Sequence, residues 1–338
     1  MKKKTSLKDI AQKVGVSTAL VSYVLNNKKE GRISKQIAEK IRATAIELNY
    51  KTNQIARSLK TNKTYTIGLV VADIANAFSS TLARIIEDEA EKNNYTVLFG
   101  SSDENAQKSE KLINVLLDRQ VDGLIIAPVE DTASQIVQLQ ENEVPFVLID
   151  RYFPDMKTNY VAMDNYKAAH AAVSHLINGG NKRIGLVTFK TTIFNIVERK
   201  RGYVTALKEY KTSAKRSWIR EVSIQNAQEE VREAIDQLLS LSEPVDAILF
   251  SSNLLSTYAL KYLNTLPVKV PDQLNIVTID QSDASDTFYA PLTYIRQPLL
   301  EMGQLATKIL LESISKNNKI TQVNLEPELV VGKSTSKV

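Results

Sequence analysis

The sequence predicts an all-α helix-turn-helix head followed by an α/β core of two doubly wound parallel-sheet subdomains. Three observations carry this. Residues 5–50 hold three short segments of helical apolar spacing, each opened by a residue suited to capping. Residues 64–334 alternate short apolar runs with amphipathic stretches, the pattern of parallel strands joined by helices. Residues 1–63 carry 15 Lys/Arg against 4 Asp/Glu, while residues 64–338 carry 28 against 34. A modest overall charge of +5 therefore conceals a cationic head on an acidic body, which implies a polyanion held by the head alone.

Within the head, Leu7, Ile10, Ala11 and Val14 form one face of a first helix, with Ser6 and Asp9 placed as a capping box and Gly15 as its terminator. Ser17 is placed to cap a second helix that buries Leu20, Val21, Val24 and Leu25 and leaves Thr18, Ala19, Ser22, Tyr23 and Asn26 on the other side. Ser34 opens a third helix burying Ile37, Ile41, Ala45 and Leu48. Such a trio reads either as a helix-turn-helix entering the major groove by its second helix or as a small helical domain with a solvated basic face; the charge asymmetry favours DNA. Residues 51–63 hold four bases and no acid. They read either as a polar linker or as an arm that folds on DNA and drives an apolar wedge into the minor groove, and the pattern leaves both open.

In the core the apolar runs are Tyr65–Val71, Tyr95–Phe99, Gly123–Ala127, Pro145–Ile149, Arg183–Thr188, Ala247–Ser251 and Ile276–Ile279. Several end in polar residues: Asp73, Asp150-Arg151, Ser251-Ser252-Asn253 and Asp280-Gln281. Each alone fits a helix cap. Together, at the carboxyl ends of parallel strands, they favour a ligand cleft.

Other chemistry is argued against. The chain has no cysteine, hence no disulfide framework, thiolate site or Cys nucleophile. Its two histidines, His170 and His175, point to different faces of an Ala-rich helix, so no metal site or Ser-His triad is expected. The end Gly332-Lys333-Ser334 lacks the first glycine and following helix of a P-loop, and no G-x-G-x-x-G occurs. Trp218 is expected to be a partly buried loop residue, and the tail from Lys333 to be frayed. The stripe Leu299, Leu300, Met302, Leu305, Ile309 and Leu310 is expected to be core. The basic start Lys2-Lys3-Lys4 precedes no apolar signal region, and no run is long enough to span a bilayer, so a cytoplasmic protein without membrane contact is expected.

A resemblance then sharpens these expectations. Ser6-Leu7-Lys8-Asp9-Ile10-Ala11, Gly15-Val16-Ser17, Val21-Ser22, Leu25-Asn26, Glu47-Leu48-Asn49-Tyr50, Asn53 and Ala56-Arg57-Ser58-Leu59 resemble, in order, the signature of the lactose/galactose-repressor (LacI/GalR) family. The core is similar to that family's periplasmic-binding-protein-like domain through Ile67–Val71, Arg119–Ile126, Pro145–Arg151, Asn181–Gly185, Glu198–Tyr203, Pro291-Leu292-Thr293 and Arg296-Gln297. The resemblance implies a lambda-repressor-like head at residues 1–50, a hinge arm at 51–63 and an effector-binding core at 64–338. Within the core it implies one subdomain at about 64–162 and 291–318 and another at about 163–290 and 319–334, with crossings near 162–165, 284–291 and 318–322.

By position, it implies that Thr18, Ala19 and Tyr23 face base edges and that Ser17, Ser22 and Asn26 help hold phosphates. The arm would contribute Asn53, Ala56, Leu59 and Lys60, with Leu59 as the wedge. Asp73, Phe78, Asp150, Arg199, Asn253 and Asp280 would line the effector cleft, Arg199 reaching across to a polar ligand. Departures are Tyr23 where many members carry Arg, Lys51-Thr52 before the arm, Asn253 for an Asp and Gln281 for an Asp; the last two make the cleft less negative. The expected protein is a homodimeric regulator, most simply a repressor, reading a pseudo-palindromic operator under control of a small effector, with carbohydrate as the expected class and no cofactor, metal or catalytic residue. A transporter's solute-binding protein and a glycoside-acting enzyme using Asp150 and Asp280 are the alternatives; the cationic head argues against the first and nothing in the sequence raises those carboxylates to catalysts.

Overall fold

The computed structural model describes residues 5–26, 32–50, 63–211, 215–316 and 319–335. The chain divides into two compact units, Met1–Thr64 and Tyr65–Val338.

The first unit holds α1 (Leu7–Val14), α2 (Thr18–Leu25) and α3 (Lys35–Glu47). The capping box at Ser6 and Asp9 is formed, and Gly15 ends α1 at φ 82°, a left-handed conformation that a glycine adopts without strain. Ser17 and Ser34 cap α2 and α3 by accepting from Leu20 N and Ile37 N. The three helices close over Ile10, Ala11, Val21, Val24, Ile41 and Ala45. Ile37, expected inside, is 38% exposed; it sits in the first turn of α3, and the third helix buries Thr44 beside Ile41 and Ala45 instead.

The second unit contains two six-stranded sheets. The first sheet uses β1 (Thr66–Val71), β2 (Thr96–Ser101), β3 (Gly123–Ile126), β4 (Phe146–Ile149) and β5 (Tyr160–Met163), with α4 (Ala77–Lys92), α5 (Ala106–Asp118) and α6 (Ala133–Glu141) between them. The second uses β6 (Ile184–Phe189), β7 (Ile219–Val222), β8 (Ala247–Phe250), β9 (Asn275–Ile279) and β10 (Thr293–Arg296), with α7 (Asn165–Asn178), α8 (Phe194–Glu209), α9 (Ala227–Leu239), α10 (Asn253–Leu263) and the short α11 (Asp283–Thr287). Then α12 (Leu299–Ile314), β11 (Gln322–Leu325) and β12 (Glu328–Val330) follow. Strand orders are β11-β5-β4-β3-β1-β2 and β12-β10-β9-β8-β6-β7, parallel throughout except for β12 against β10. Each half thus repeats one doubly wound order, with its reversal at β1/β3 and at β6/β8. Apolar side chains fill both faces of each sheet, which is why the strands read as continuous apolar runs.

The chain crosses between halves three times, two of them away from the expected places. The first lies between β5 and α7. The second is at 297–298, not 284–291: β10 still pairs with β9, and the Pro291 carbonyl accepts from Lys333 N and Ser334 N, which pins that stretch into the second half. The third is at 326–327, not 318–322, because β11 pairs with β5 of the first sheet before β12 joins the second. The tail is not frayed through Thr335. Ser334 is fully buried, donating to the Ile276 carbonyl and accepting from Thr293 N. Trp218 is 4% exposed rather than partly buried. In α12, Met302, Ile309 and Leu310 are core as expected and Ala306 joins them, but Leu300 is 61% exposed. No helix among the described residues is long and apolar enough to cross a membrane.

Helices α7 and α8 approach so closely that a Cβ on Gly202 would lie 2.2 Å from the Tyr166 carbonyl oxygen. Gly202→Ala should therefore destabilise the core by about 3 kcal/mol through backbone displacement, read as a lower denaturation midpoint with an unchanged slope.

Candidate functional sites in the head and in the core cleft

In the head, the turn at Gly15-Val16 sets α2 against α1 so that the first turn of α2 is open to solvent. Thr18 and Ala19 are exposed there, and Ser22 and Tyr23 are half-exposed on the same helix. The Ser17 hydroxyl is engaged in the helix cap, at 3.2 Å from Leu20 N. Asn26 folds back over the last turn, its Nδ2 donating to the Ser22 carbonyl at 2.7 Å. Lys13 pairs with Glu47 at 2.6 Å and ties α1 to α3. Asn53, Ala56, Leu59 and Lys60 lie outside the described residues.

In the core, the carboxyl ends of the two sheets face each other, and the polar strand ends meet there. Asp150 follows β4 and Asp280 follows β9, equivalent strands of the two halves. Both take left-handed backbone conformations, φ 65° and 74°, and both are buried. A non-glycine residue held at positive φ stores strain of about 1–3 kcal/mol, which the surrounding packing must sustain. Between them lies Arg199 of α8, 3% exposed. Its Nε donates to Asn165 Oδ1 at 2.7 Å, its Nη1 donates to the Ser251 carbonyl at 2.6 Å, and its Nη1 lies 3.9 Å from Asp280 Oδ2. Burial pushes both carboxyls above the usual range; the charges of Arg151 and then Arg199 pull Asp150 part of the way back, and that of Arg199 does the same for Asp280.

Two carboxamides complete this arrangement, one for each aspartate. Gln297 Nε2 donates to Asp280 Oδ1 at 2.7 Å, and Asn195 Nδ2 reaches Asp150 Oδ1 at 3.5 Å. The oxygens of these same amides, Gln297 Oε1 and Asn195 Oδ1, are buried with no hydrogen-bond partner. Arg151 is held away from ligand chemistry by a two-pronged pair with Glu104, at 2.6 and 2.7 Å.

Asp73, Phe78 and Asn253 stand apart from this cluster. Asp73 Oδ1 accepts from Ala75 N at 2.9 Å in the turn after β1. Phe78 is half-buried against the core of the first half. Asn253 opens α10 and pairs with Asn76 of the first half. A second contact crosses between halves where Glu130 Oε1 accepts from Thr192 N at 2.8 Å and from Thr192 Oγ1 at 2.7 Å; these bonds hold the Glu130 carboxyl below its usual range. A third is aromatic: Tyr152 stacks on Tyr160 at 3.9 Å and meets Phe194 of α8 edge-on at 5.2 Å. A cavity of about 180 Å³ beside it is lined by Asn165, Asn195, Phe194 and Asn324 among others. The larger cavity, about 800 Å³, lies between α4 and α12, and none of the six expected cleft residues lines it.

The sequence therefore placed Asp150, Arg199 and Asp280 together but missed Asn76, Asn165, Asn195, Gln297 and the Glu130–Thr192 contact. Gln297 stood inside a quoted motif. For the others the only local signal was an amide or acid near a strand end.

A head of this geometry joined to a two-sheet core with a polar cleft defines a DNA-binding regulator with a sensor domain. The chain belongs to the lacI family of bacterial regulatory proteins: residues 6–53 match that family's model and residues 173–335 match a periplasmic binding protein-like domain. It is 31% identical over 318 residues to a probable HTH-type transcriptional regulator, EndR, of Paenibacillus polymyxa, covering 93% of this chain and 92% of that protein. In fold it is similar to the Lac repressor dimer solved with operator and the anti-inducer ONPF, at 22% identity and a TM-score of 0.86 over 99% of this chain and 100% of that one. It is also similar to the transcriptional regulator CelR solved with cellobiose, at 23% identity and a TM-score of 0.73 over 98% of this chain and 100% of that one. The chain is thus a transcriptional regulator with a DNA-binding head and a ligand-binding core.

The raised carboxyls give a pH signature. A carboxyl whose folded pKa lies above its unfolded value contributes stability that is complete below about pH 4 and is lost as pH rises through the folded value. Asn at position 280 can still accept from Gln297 and carries no charge. Asp280→Asn should therefore gain stability relative to the parent as pH rises from about 4; thermal midpoints across that range check it, and a difference that shrinks with rising pH would contradict the assignment.

Proposed function

We propose that this protein is a homodimeric repressor that binds a pseudo-palindromic operator in the cytoplasm and is controlled by a neutral, hydroxyl-rich effector, a carbohydrate, in the core cleft. The observation that carries the effector class is the pair of partnerless buried oxygens, Gln297 Oε1 and Asn195 Oδ1, beside the carboxyls of Asp150 and Asp280. All four groups present acceptors, and Arg199 beside them already donates through Nε to Asn165 and through Nη1 to Ser251. A ligand that supplies several donors and no negative charge satisfies such a site; a phosphate or carboxylate would meet buried acceptors. Asp73 after β1 and Phe78 in the first turn of α4, with Asn253 on the facing wall, complete the proposed cleft. The CelR neighbour, solved with cellobiose, supports the class.

For DNA, Thr18, Ala19 and Tyr23 are assigned to base edges, and Ser17, Ser22 and Asn26 to the backbone. Asn53, Ala56, Leu59 and Lys60 are assigned to the minor groove, with Leu59 unstacking a central step. A two-fold pair of heads supports the palindromic site. The second copy is supported by an apolar patch on the edge strand β2 and α5, where Phe99 is 62%, Val115 45% and Leu98 38% exposed; the Lac repressor neighbour was solved as a dimer. Effector binding changes the angle between the core halves and so orders or releases the arms, which requires differential affinity for the two states worth about 1–3 kcal/mol.

Two experiments test this. A thermal-shift series should show stabilisation by a neutral sugar and none by its phosphate ester or sugar acid; at a hundredfold excess over Kd the gain is about 2.7 kcal/mol. Stabilisation by the anionic forms alone would overturn the effector class. Removing residues 1–63 should abolish selection of any duplex from a random pool while leaving the folded dimer and its sugar response intact. Retained operator affinity in the truncated protein would refute the division of labour.

A further inference from the structure

Two helix N-termini face each other across the cleft. Asn76 caps α4 in the first half, its Oδ1 accepting from Phe78 N at 3.0 Å. The same oxygen accepts from Asn253 Nδ2 at 3.0 Å, and Asn76 Nδ2 points back at Asn253 Oδ1 at 3.4 Å. Asn253 is the first residue of α10 in the second half and is 5% exposed. Its position is fixed from behind: Ser252 caps the helix, and the Asn253 carbonyl accepts from Ser256 Oγ and Thr257 Oγ1. The pair joins residues 177 apart in the chain and is made wholly of side-chain amides.

The orientation of this pair is not free. The helix cap dictates that Asn76 presents oxygen, not nitrogen, to Phe78 N and therefore to Asn253. Position 253 must answer with a donor, which Asn supplies and Asp does not. A carboxylate at 253 would either face the Asn76 oxygen, lone pair to lone pair, or force that amide to flip and lose the cap.

We propose that Asn76 and Asn253 form a clasp that sets how readily the cleft opens, so that position 253 tunes the effector response by holding the halves together. The inference rests on the reading of the cleft as the effector site. The Glu130–Thr192 contact, after β3 and β6, is the companion of the clasp after β1 and β8, and both lie at the switch points of the two sheets.

The absence of cysteine makes the test direct, since engineered thiols are the sole labelling sites. Spin labels at Glu87→Cys on α4 and Lys261→Cys on α10, both exposed, report the separation of the halves in the full-length protein, with labelled chains diluted by unlabelled ones. In Asn253→Asp the long-distance population should rise about fivefold, the change given by one lost hydrogen bond. Asn253→Ala should move the same way and stands in if the Asp variant fails to fold. Asn76→Asp should stay near the parent, because its carboxylate keeps both the α4 cap and the bond from Asn253 Nδ2. Unchanged distances in both Asn253 variants, or opening by Asn76→Asp as large as by Asn253→Asp, would overturn the clasp. If Asn253→Asp opens the cleft but cellobiose neither narrows the parent distribution nor alters DNA binding, the clasp stands and the carbohydrate reading falls.

Discussion

The core depends on one guanidinium. Two carboxylates, Asp150 and Asp280, are buried at the ends of equivalent strands, and each costs free energy to remove from water. Arg199 sits between them and is itself buried, so its charge is felt at low screening. Its Nε donates to Asn165 at the first crossing and its Nη1 to the carbonyl of Ser251 after β8. One side chain therefore ties the end of β9, the end of β8 and the start of α7 to α8. Asp150 comes from the other half and has a counter-charge of its own there, Arg151 Nε at 3.6 Å, with Arg199 adding to it from across the cleft. Part of the electrostatic balance of the carboxyl pair therefore depends on how the halves are set against each other.

The repeated strand order explains why the polar residues converge. In each half the order reverses between the first and third strands, and the loops there are spread apart by helices leaving on opposite faces. Asn76 and Glu130 occupy this opening in the first half, Thr192 and Asn253 in the second. Asp150 and Asp280 sit one strand further along. Switch-point loops thus supply contacts between halves, and the neighbouring strand supplies the buried charge. This division follows from the topology, since the loops nearest the opening project furthest and meet first.

Much of this was legible in the sequence, for reasons that differ by element. β1, β3, β4, β6, β8 and β9 are buried on both faces, so their apolar runs stand out without any knowledge of partners. β7, β11 and β12 are short edge strands with polar residues such as Arg220, Asn324 and Glu328, and only their neighbours make them strands. The second crossing was misplaced because Asp283 to Pro291 looks like a linker; the bonds that hold it are to Lys333 and Ser334, more than forty residues away. The buried tail was missed for the same reason. Asp150, Arg199 and Asp280 were legible through the family resemblance and through strand ends. Asn195 and Gln297 were not, because nothing local distinguishes an amide that leaves its oxygen partnerless from one that caps a turn.

The charge division along the chain gives this arrangement its direction. The cations of the first 63 residues outnumber the acids by about eleven, enough to hold any duplex in a salt-dependent manner, so affinity alone cannot be what the core regulates. In the proposed dimer, what the sensor regulates is geometry: whether two heads are held at the spacing that a two-fold site requires. In the proposed function the acidic remainder adds no grip on the phosphates, so the head is where DNA is held. On that reading a small change in the relative placement of the core halves acts on binding without any loss of charge, and the Asp150–Arg199–Asp280 group, buried and drawn from both halves, is where a bound solute biases it.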